Sequence, residues 1–220
     1  MYNYLIDAFG GCDYSEGMGQ AFAIMFGIAD DEKREKIFKN QPITENGIAC
    51  VYPSFERYTK EKGSYGRHSG TVWPHIQSFW ADAAARNGKY ALFEKEFDML
   101  THSAVRDGYF AEIYHPDTGL PYGGLQEDKK QGIRLWESEK KQTWSATGYL
   151  HMIFADILGI TVTTEGIELA PRLPKSIGDI KITGLRIRDI ILDVSIKKGS
   201  EEKLFIPFSR MGKIIVSMGE

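Results

Sequence analysis

The fold is decided by residues 70–88, which read GTVWPHIQSFWADAAARNG. Apolar side chains recur there at intervals of three and four residues, as one face of an α-helix requires. These side chains are Ile76, Phe79, Trp80, Ala83 and Ala84. Thr71 is a suitable N-cap, and Pro74 falls in the first turn, where a missing backbone N–H costs little. Because Asn87 and Gly88 are typical of a left-handed helix end, the stretch predicts one amphipathic helix entered through a loop.

Four further helices are predicted by the same periodicity on either side of this stretch. They cover residues 18–26, 31–39, 92–107 and 144–158. Asp31 is expected to cap the second, and Thr143 the last, which is apolar nearly all round and should be buried on several sides. Two long loops, residues 41–70 and 109–142, separate the helices, and loops of about thirty residues in a compact domain are usually functional.

The chain changes character near residue 160, where apolar side chains begin to alternate with polar ones. A period of two is typical of strands, and Gly and Pro separate the runs. Residues 160–220 are therefore predicted to form an antiparallel, sandwich-type β domain of about five to seven short strands, after a helical domain of residues 1–159. In the helical part, antiparallel helices joined through long loops suggest a toroid of helical hairpins.

The composition of the 220 residues limits the function classes. A hydrophobic content of 42% with a net charge of −3 is typical of a folded globular chain. There is no basic surplus for nucleic-acid phosphates, and the apolar runs are too short to cross a membrane, so neither partner is expected. Residues 1–20 lack a secretory signal pattern, which leaves the compartment open. Because neither Cys12 and Cys50 nor His68 and His75 have metal-type spacing, no metal or cofactor is predicted.

The side chains suited to chemistry lie in the two long loops and at the helix starts that follow them. Arg67, His68, Trp73 and His75 lie at the mouth of a helix, where free N–H groups favour oxygen-rich ligands. Indole faces can stack on a sugar ring, while imidazole and guanidinium groups bond to its hydroxyls. The alternative is structural, with Trp73 in the core and His75 as an ordinary helix histidine.

Glu112 is the candidate for proton transfer, because it follows a helix end in a segment flanked by aromatic residues. A carboxylate at such a mouth can deprotonate water. The plainer alternative is a surface glutamate, which is the commonest situation for this residue type. Asp117, in the neighbouring Pro-Asp-Thr-Gly corner, is expected to bond to its own backbone and to serve the turn.

Three segments of the chain match family motifs in order. Residues 70–74, 112–119 and 144–146 match Gly-x-Val/Ile-Trp-Pro, Glu-x-Tyr-x-Pro-x-Thr-Gly and Trp-Ser-Ala, respectively. In this they resemble the C-terminal part of the six-hairpin, (α/α)6-barrel glycoside hydrolases, such as the processing α-glucosidases, trehalases and debranching-enzyme α-1,6-glucosidases. Residues 170–174 and 184–186 resemble the small C-terminal β domain of these enzymes.

This resemblance implies a chain that is mainly α with a β tail: part of an (α/α)6 toroid of helical hairpins, then a small antiparallel β-sandwich-like domain. It also implies hydrolysis of glucosidic bonds, with the α-anomer favoured, by an inverting mechanism in which Glu112 is the general base. The substrate would be an oligosaccharide or another glycoside. The residues expected to bind it are Trp73, His75, Tyr114, Trp144, His68 and Arg67.

The length of the chain does not accommodate a whole barrel, because twelve helices with their connections need roughly three hundred residues or more. In the relatives the general acid lies in the earlier half of the barrel, and no segment here matches it. Glu16 starts a helix and is expected to serve its dipole. We therefore expect a C-terminal portion that is weakly active or inactive alone. Its incomplete helical surface predicts self-association or binding of a missing N-terminal half.

Two other functions remain open at this stage. Disaccharide phosphorylases share the barrel and a β domain, but they need a phosphate site instead of a base at Glu112. A non-catalytic carbohydrate-binding or assembly module would use Trp73 and Trp144 to bind sugar without turnover. Dependence on added phosphate separates the first from a hydrolase, and sugar binding with an inert Glu112 would indicate the second.

Overall fold

A computed structural model describes residues 2, 4, 6–8 and 10–219. The chain divides into two compact units, one up to Leu150 and the other from His151 onward. The domain division predicted between residues 159 and 160 stays a prediction. None of the helices in the described part combines the length and apolarity that crossing a bilayer requires.

The five predicted helices are present. They are α1 (Gly17–Met25), α2 (Asp31–Asn40), α3 (Pro74–Arg86), α4 (Tyr90–Asp107) and α5 (Thr143–His151). A 3-10 turn covers Glu56–Tyr58, and a π-helical turn covers Met152–Ile157. Helix α3 packs against both α1 and α4. Its fully buried Trp80 contacts Phe38 of α2, so the predicted apolar face of α3 is the centre of this unit.

The helix ends differ from the prediction in their caps. Asp30, rather than Asp31, caps α2, because its Oδ1 accepts from Lys33 N at 2.9 Å. Trp73 precedes α3 without a side-chain cap, and Thr71 Oγ1 instead donates to Arg67 O at 2.7 Å. Helix α5 is followed by the π-turn and leaves Leu150 half exposed, so the expected burial on several sides is wrong in part.

Short strands occupy the two long loops and also the segment before α1. The strands are β1 (Ile6–Asp7), β2 (Gly10–Gly11), β3 (Ser15–Glu16), β4 (Ile43–Thr44), β5 (Gly47–Ile48), β6 (Val51–Tyr52), β7 (Leu125–Asp128) and β8 (Gly132–Leu135). They pair antiparallel as β1–β2, β3–β6, β4–β5 and β7–β8. Single bridges join Val72 to Ala49 and to Tyr114, and Tyr114 to Pro121. The loops therefore form an irregular layer over the helix starts.

The second unit is built from six strands. They are β9 (Ile160–Val162), β10 (Gly166–Leu169), β11 (Ile180–Ile187), β12 (Ile190–Ile196), β13 (Leu204–Pro207) and β14 (Gly212–Met218). One sheet has the order β13-β10-β9 and is antiparallel, and the other has the order β11-β12-β14. Strands β12 and β14 are parallel, so the prediction of a wholly antiparallel unit is wrong. Apolar side chains from both sheets share one core.

The predicted (α/α)6 toroid is wrong for the described residues. They contain five helices among small separate sheets, which is a mixed α/β arrangement rather than a mainly α one. A toroid requires successive helices to pair as hairpins. Of the successive helices, α3 and α4 pack extensively on each other, whereas the segments before α3 and before α5 form β pairs instead.

Candidate active site

The layer of paired loops brings the predicted site segments together. Val72 N donates to Tyr114 O at 3.0 Å, and Tyr114 N donates to Val72 O at 2.8 Å. This pairing sets the segment of Glu112 beside the entry to α3. Glu112 N in turn donates to Glu139 O at 2.8 Å, which ties the same segment to the approach to α5. These backbone N–H and C=O groups lie outside the helices, so they form their hydrogen bonds with each other across neighbouring loop segments.

Glu112 forms a buried ion pair with Arg67. The residue is 5% exposed, and its Oε2 lies 2.6 Å from Arg67 Nη2. The Glu139 backbone N–H also donates to Oε2, at 3.3 Å. Both described hydrogen bonds of the carboxylate thus go to one oxygen, which leaves Oε1 to accept from another donor. The alternative of an exposed surface glutamate is wrong.

Arg67 also connects Glu112 to the β7–β8 hairpin. Its Nη1 donates to Gly123 O at 3.0 Å and to Glu137 O at 3.4 Å, the two residues that flank the hairpin. At Gly123 a Cβ would overlap Trp136 O, and at Gly124, whose φ is 76°, it would overlap the Arg67 backbone. Only glycine fits at either position. Sequence reasoning missed this close approach of the hairpin to Arg67. The Gly-Gly pair at 123–124 was the signal that could have indicated it.

Four aromatic rings form a cluster at the starts of α3 and α5. His68 stacks on Trp73 with centroids 5.1 Å apart, and Trp144 lies 6.2 Å from Trp73 and 5.7 Å from His75. Trp73 is 7% exposed, and its Nε1 donates to Arg67 O at 2.9 Å, whereas Trp144 is 43% exposed. Trp144 therefore supplies the open indole face, and Trp73 supports it.

The surroundings of the two imidazoles in the cluster favour their neutral form. Burial lowers the pKa of His68, and Arg67 lowers it further, while the Glu112 carboxylate acts in the opposite direction. Burial also lowers the pKa of His75, again against the charge of Glu112. His75 Nδ1 is buried with no hydrogen-bond partner among the described residues. Neutral imidazoles can both donate to and accept from hydroxyl groups, and an unpaired ring nitrogen provides an unused bonding position.

Tyr114 is not part of this cluster. It is almost fully buried, and its hydroxyl accepts from Ala111 N at 3.0 Å. Burial raises its pKa, and the charged groups acting on it are Asp107 and Arg106 at the end of α4. Tyr114 contributes to the site through its backbone pairing with Val72. The structure thus gathers Arg67, His68, Trp73, His75, Glu112 and Trp144, and it places the Tyr114 hydroxyl against Ala111 instead.

A cavity of about 390 Å³ opens beside the imidazoles. Its lining includes His68, Trp73 and His75 together with Glu16 and Cys50, which sequence reasoning did not place there. Glu16 caps α1 by accepting from Met18 N at 3.0 Å and from Gly19 N, as expected for a dipole partner. Burial raises the pKa of the Cys50 thiol to about 11, so it acts as an inert wall.

The arrangement combines a buried carboxylate and an exposed indole face with two imidazoles that border a concave space. An indole face suits the apolar face of a sugar ring, and the imidazoles suit its hydroxyls. A carboxylate with one free oxygen can accept a proton from water. The geometry therefore favours a carbohydrate ligand and acid–base chemistry.

One family model that matches the chain describes a glycoside hydrolase domain. The Mannosylglycerate hydrolase MGH1-like glycoside hydrolase domain matches residues 16–145, which is more than half of the chain and includes every candidate site residue. No curated protein matches the sequence.

Among solved structures, a sialidase shares the fold with a TM-score of 0.58 at 14% sequence identity. The match covers 82% of this chain and 17% of the sialidase. At this identity the likeness concerns the fold alone. The chain therefore corresponds to a small part of the length of the solved protein that it resembles.

Proposed function

The chain belongs to the family of Mannosylglycerate hydrolase MGH1-like glycoside hydrolase domains, and on this premise we propose that it supplies the general-base half of an inverting glycosidase site. The observation that carries the proposal is the buried carboxylate of Glu112 next to the aromatic cluster. Glycosidases of the inverting type need one carboxylate that activates water on the face of the sugar opposite the leaving group.

The two carboxylate oxygens of Glu112 differ in their hydrogen bonds, and this difference suits the role of base. Arg67 and the Glu139 N–H hold Oε2, which fixes the plane of the carboxylate. Oε1 is then the atom that accepts a proton from water, and Arg67 balances the negative charge before the transfer. Such a positioned base contributes roughly 10²–10⁴ in rate.

The cluster supplies the sugar-binding surface. Trp144 offers an exposed ring face, and the His75 Nδ1 that lacks a partner offers a hydrogen bond to a hydroxyl. His68 stacks on Trp73 and borders the cavity, so its ring nitrogens can contact the same ligand. Arg67, in contrast, acts on Glu112 and on the hairpin. Its role is to position the base rather than to bind sugar.

The general acid comes from sequence outside this chain, as a preceding segment or a separate subunit. Among the described residues the acidic side chain that lines the cavity is Glu16, and α1 already uses its carboxylate as an N-cap. Both of its oxygens already accept backbone N–H groups, from Met18 and Gly19, so the side chain serves the helix end. The second carboxyl should stand about 6.5–9.5 Å from Glu112, with space for water between them.

The substrate is a glycoside of glucose or mannose with an α linkage. The glucoside follows from the motif resemblance, and the family name adds mannosylglycerate as a candidate. Hydrolysis of mannosylglycerate would release a glycerate anion, so the remainder of the site would need a positive group for the carboxylate. Arg67 does not fill that role, because Glu112 already pairs with it.

The test uses the chain completed with its upstream sequence and two variants. Glu112→Gln should lower kcat by about 10²–10⁴ on aryl α-glucosides, aryl α-mannosides or mannosylglycerate. Glu61→Gln, which changes an exposed carboxyl in the first long loop, should retain activity. NMR of the first product should show the inverted anomer, without a requirement for phosphate. Unchanged turnover in Glu112→Gln would refute the proposal, and phosphate-dependent cleavage would indicate a phosphorylase.

A further inference from the structure

Glu96 is a buried acidic residue outside the candidate site. It lies on α4 and is 0% exposed. Its Oε2 accepts from Gln77 Nε2 of α3 at 3.0 Å and from Ile48 N of β5 at 3.2 Å. Its Oε1 is buried with no hydrogen-bond partner in the described part of the chain. An ionised carboxylate here leaves half of its acceptor capacity unused, which is unfavourable in an apolar interior.

Glu96 and Gln77 hold both ends of the turn between β4 and β5. Gln77 Nε2 also donates to Asn46 O at 3.3 Å, while Glu96 receives the hydrogen bond from Ile48 N. Gly47 lies between these two contacts with a φ of 127°, and a Cβ there would lie 2.7 Å from Glu96 Oε2. The turn therefore rests directly on Glu96 and Gln77, which explains why it requires glycine.

Asn46 connects this hairpin to the turn that follows Glu112, residues 116–119. Asn46 Nδ2 donates to Pro116 O at 2.9 Å, and a Cβ at Gly119 would overlap Asn46 Oδ1. From α4, Arg106 Nη2 donates to Gly119 O at 2.7 Å. The turn is thus held between Asn46 and α4.

The same turn is continuous with the backbone that carries Glu112. Gly119 N donates to His115 O at 2.9 Å, and Tyr122 N donates to Ile113 O at 3.1 Å. A shift of the turn therefore moves the segment next to Glu112. Misplacement of catalytic groups by about 1 Å can cost about 10²-fold in rate.

Charge on Glu96 works against this packing. Burial raises the pKa of Glu96 to about 7, while Gln77, the Ile48 N–H and the charge of Lys95 on α4 act to lower it. Gln77 and the Ile48 amide are neutral, and Glu45 of the hairpin is exposed. If the hairpin opens, water reaches the carboxyl, so ionisation favours the open hairpin and protonation favours the closed one.

We propose that Glu96 is a positioning residue for the site: protonated, it keeps the β4–β5 hairpin and turn 116–119 in place, and ionised, it lets both loosen together. Asn46 transmits the change from one to the other, and the geometry around Glu112 follows. The consequence for catalysis rests on the proposed function of Glu112, but the coupling itself does not.

Amide hydrogen exchange, expressed as protection factors, tests the coupling on the chain as it stands. From pH 5 to pH 8, protection of the Ile48 and Gly119 amides should fall by about tenfold to a hundredfold, as a pKa that moves between about 4.5 and about 7 requires. Glu96→Gln should abolish this pH dependence. Glu45→Gln, which changes an exposed carboxyl of the same hairpin, should behave as the wild type.

Asn46→Ala separates the two turns. In this variant the Ile48 amide should keep its pH dependence, and the Gly119 amide should lose it. Protection that is independent of pH in the wild type would overturn the proposal, even if Glu96→Gln did not fold. The proposal would also be overturned if, with Asn46 intact, protection of the Ile48 amide depended on pH and protection of the Gly119 amide did not.

Activity of the completed enzyme gives a second readout. Glu96→Gln should flatten the kcat profile near pH 7 and leave KM unchanged, because substrate contacts are not altered. A pH profile of kcat identical to that of the wild type would contradict the role in positioning. If Glu112→Gln retained full turnover, the proposed function would fail, whereas exchange at Ile48 and Gly119 would still decide the coupling.

Discussion

Replacement of Arg67 by methionine tests whether the ion pair organises the site. The Arg67 and Glu112 side chains are 15% and 6% exposed, and their charged atoms lie 2.6 Å apart. Loss of one partner from a buried pair costs about 3–5 kcal/mol, because the other charge stays buried and uncompensated. Since water can reach part of Arg67, we expect Arg67→Met to lower the free energy of unfolding by about 3 kcal/mol.

A double-mutant cycle separates the pair from the other bonds of Arg67. Glu112→Gln keeps the shape and leaves Arg67 bonded to Gly123 O and Glu137 O, so we expect a loss of about 1–2 kcal/mol. The double variant should lose less than the sum, with a coupling energy of about 1–3 kcal/mol. Lys36→Met, which breaks an exposed pair with Glu32, is the control and should cost under about 0.5 kcal/mol.

Tryptophan fluorescence during urea unfolding is the appropriate assay. The four tryptophans of the chain are Trp73, Trp80, Trp136 and Trp144. All of them lie in the first unit, so the signal reports on that unit even if the second unfolds separately. A coupling energy below about 0.5 kcal/mol, or a cost for Arg67→Met no larger than for Lys36→Met, would refute the reasoning.

Three further expectations concern stability and binding. Because the folded pKa of Glu96 is raised from 4.5 to about 7, the native state holds more protons in that window, so unfolding free energy should fall by up to about 3 kcal/mol as pH rises through it. Glu96→Gln should remove this slope in urea titrations at several pH values. By the same assay, Gly119→Ala should lower the free energy of unfolding by about 1–3 kcal/mol, which is more than Gly108→Ala should. Both glycines have a positive φ, but of the two only Gly119 has a neighbouring side chain where the new Cβ would lie. Trp144→Ala should weaken binding of methyl α-glycosides about tenfold in calorimetry, and equal affinity would remove the indole from the sugar site.

The helices could be predicted from the sequence, because their apolar spacing is a local property. Residues 76–84 repeat every three and four positions whatever surrounds them. The toroid could not be inferred in this way, since it depends on how helices connect and not on where they lie. The β4–β5 and β7–β8 hairpins are too short to give a clear period of two, and they replace the helical pairs that a toroid needs. The relative direction of strands β12 and β14 could not be predicted either, because apolar and polar side chains alternate in the same way in parallel and antiparallel pairs.

The site could be predicted in its residue types but not in their roles. Glu112 and the aromatic residues were singled out because three segments of the chain match family motifs in order. Tyr114 was included through the motif, yet its hydroxyl is used by Ala111 N, a contact that spacing cannot reveal. Arg67 was expected to touch sugar, but its partners at Gly123 and Glu137 lie 56 and 70 positions away. Such long-range pairing is set by the three-dimensional arrangement.

The two ends of the β7–β8 hairpin are held by one guanidinium group, because Arg67 donates to the carbonyl groups of Gly123 and Glu137 on either side of it. Its tip, residues 129–131, is exposed and takes no part in the ion pair between Arg67 and Glu112. Natural selection can therefore diversify this hairpin tip independently of the ion pair between Arg67 and Glu112. For a protein engineer it is a place to graft foreign peptides or to randomise codons.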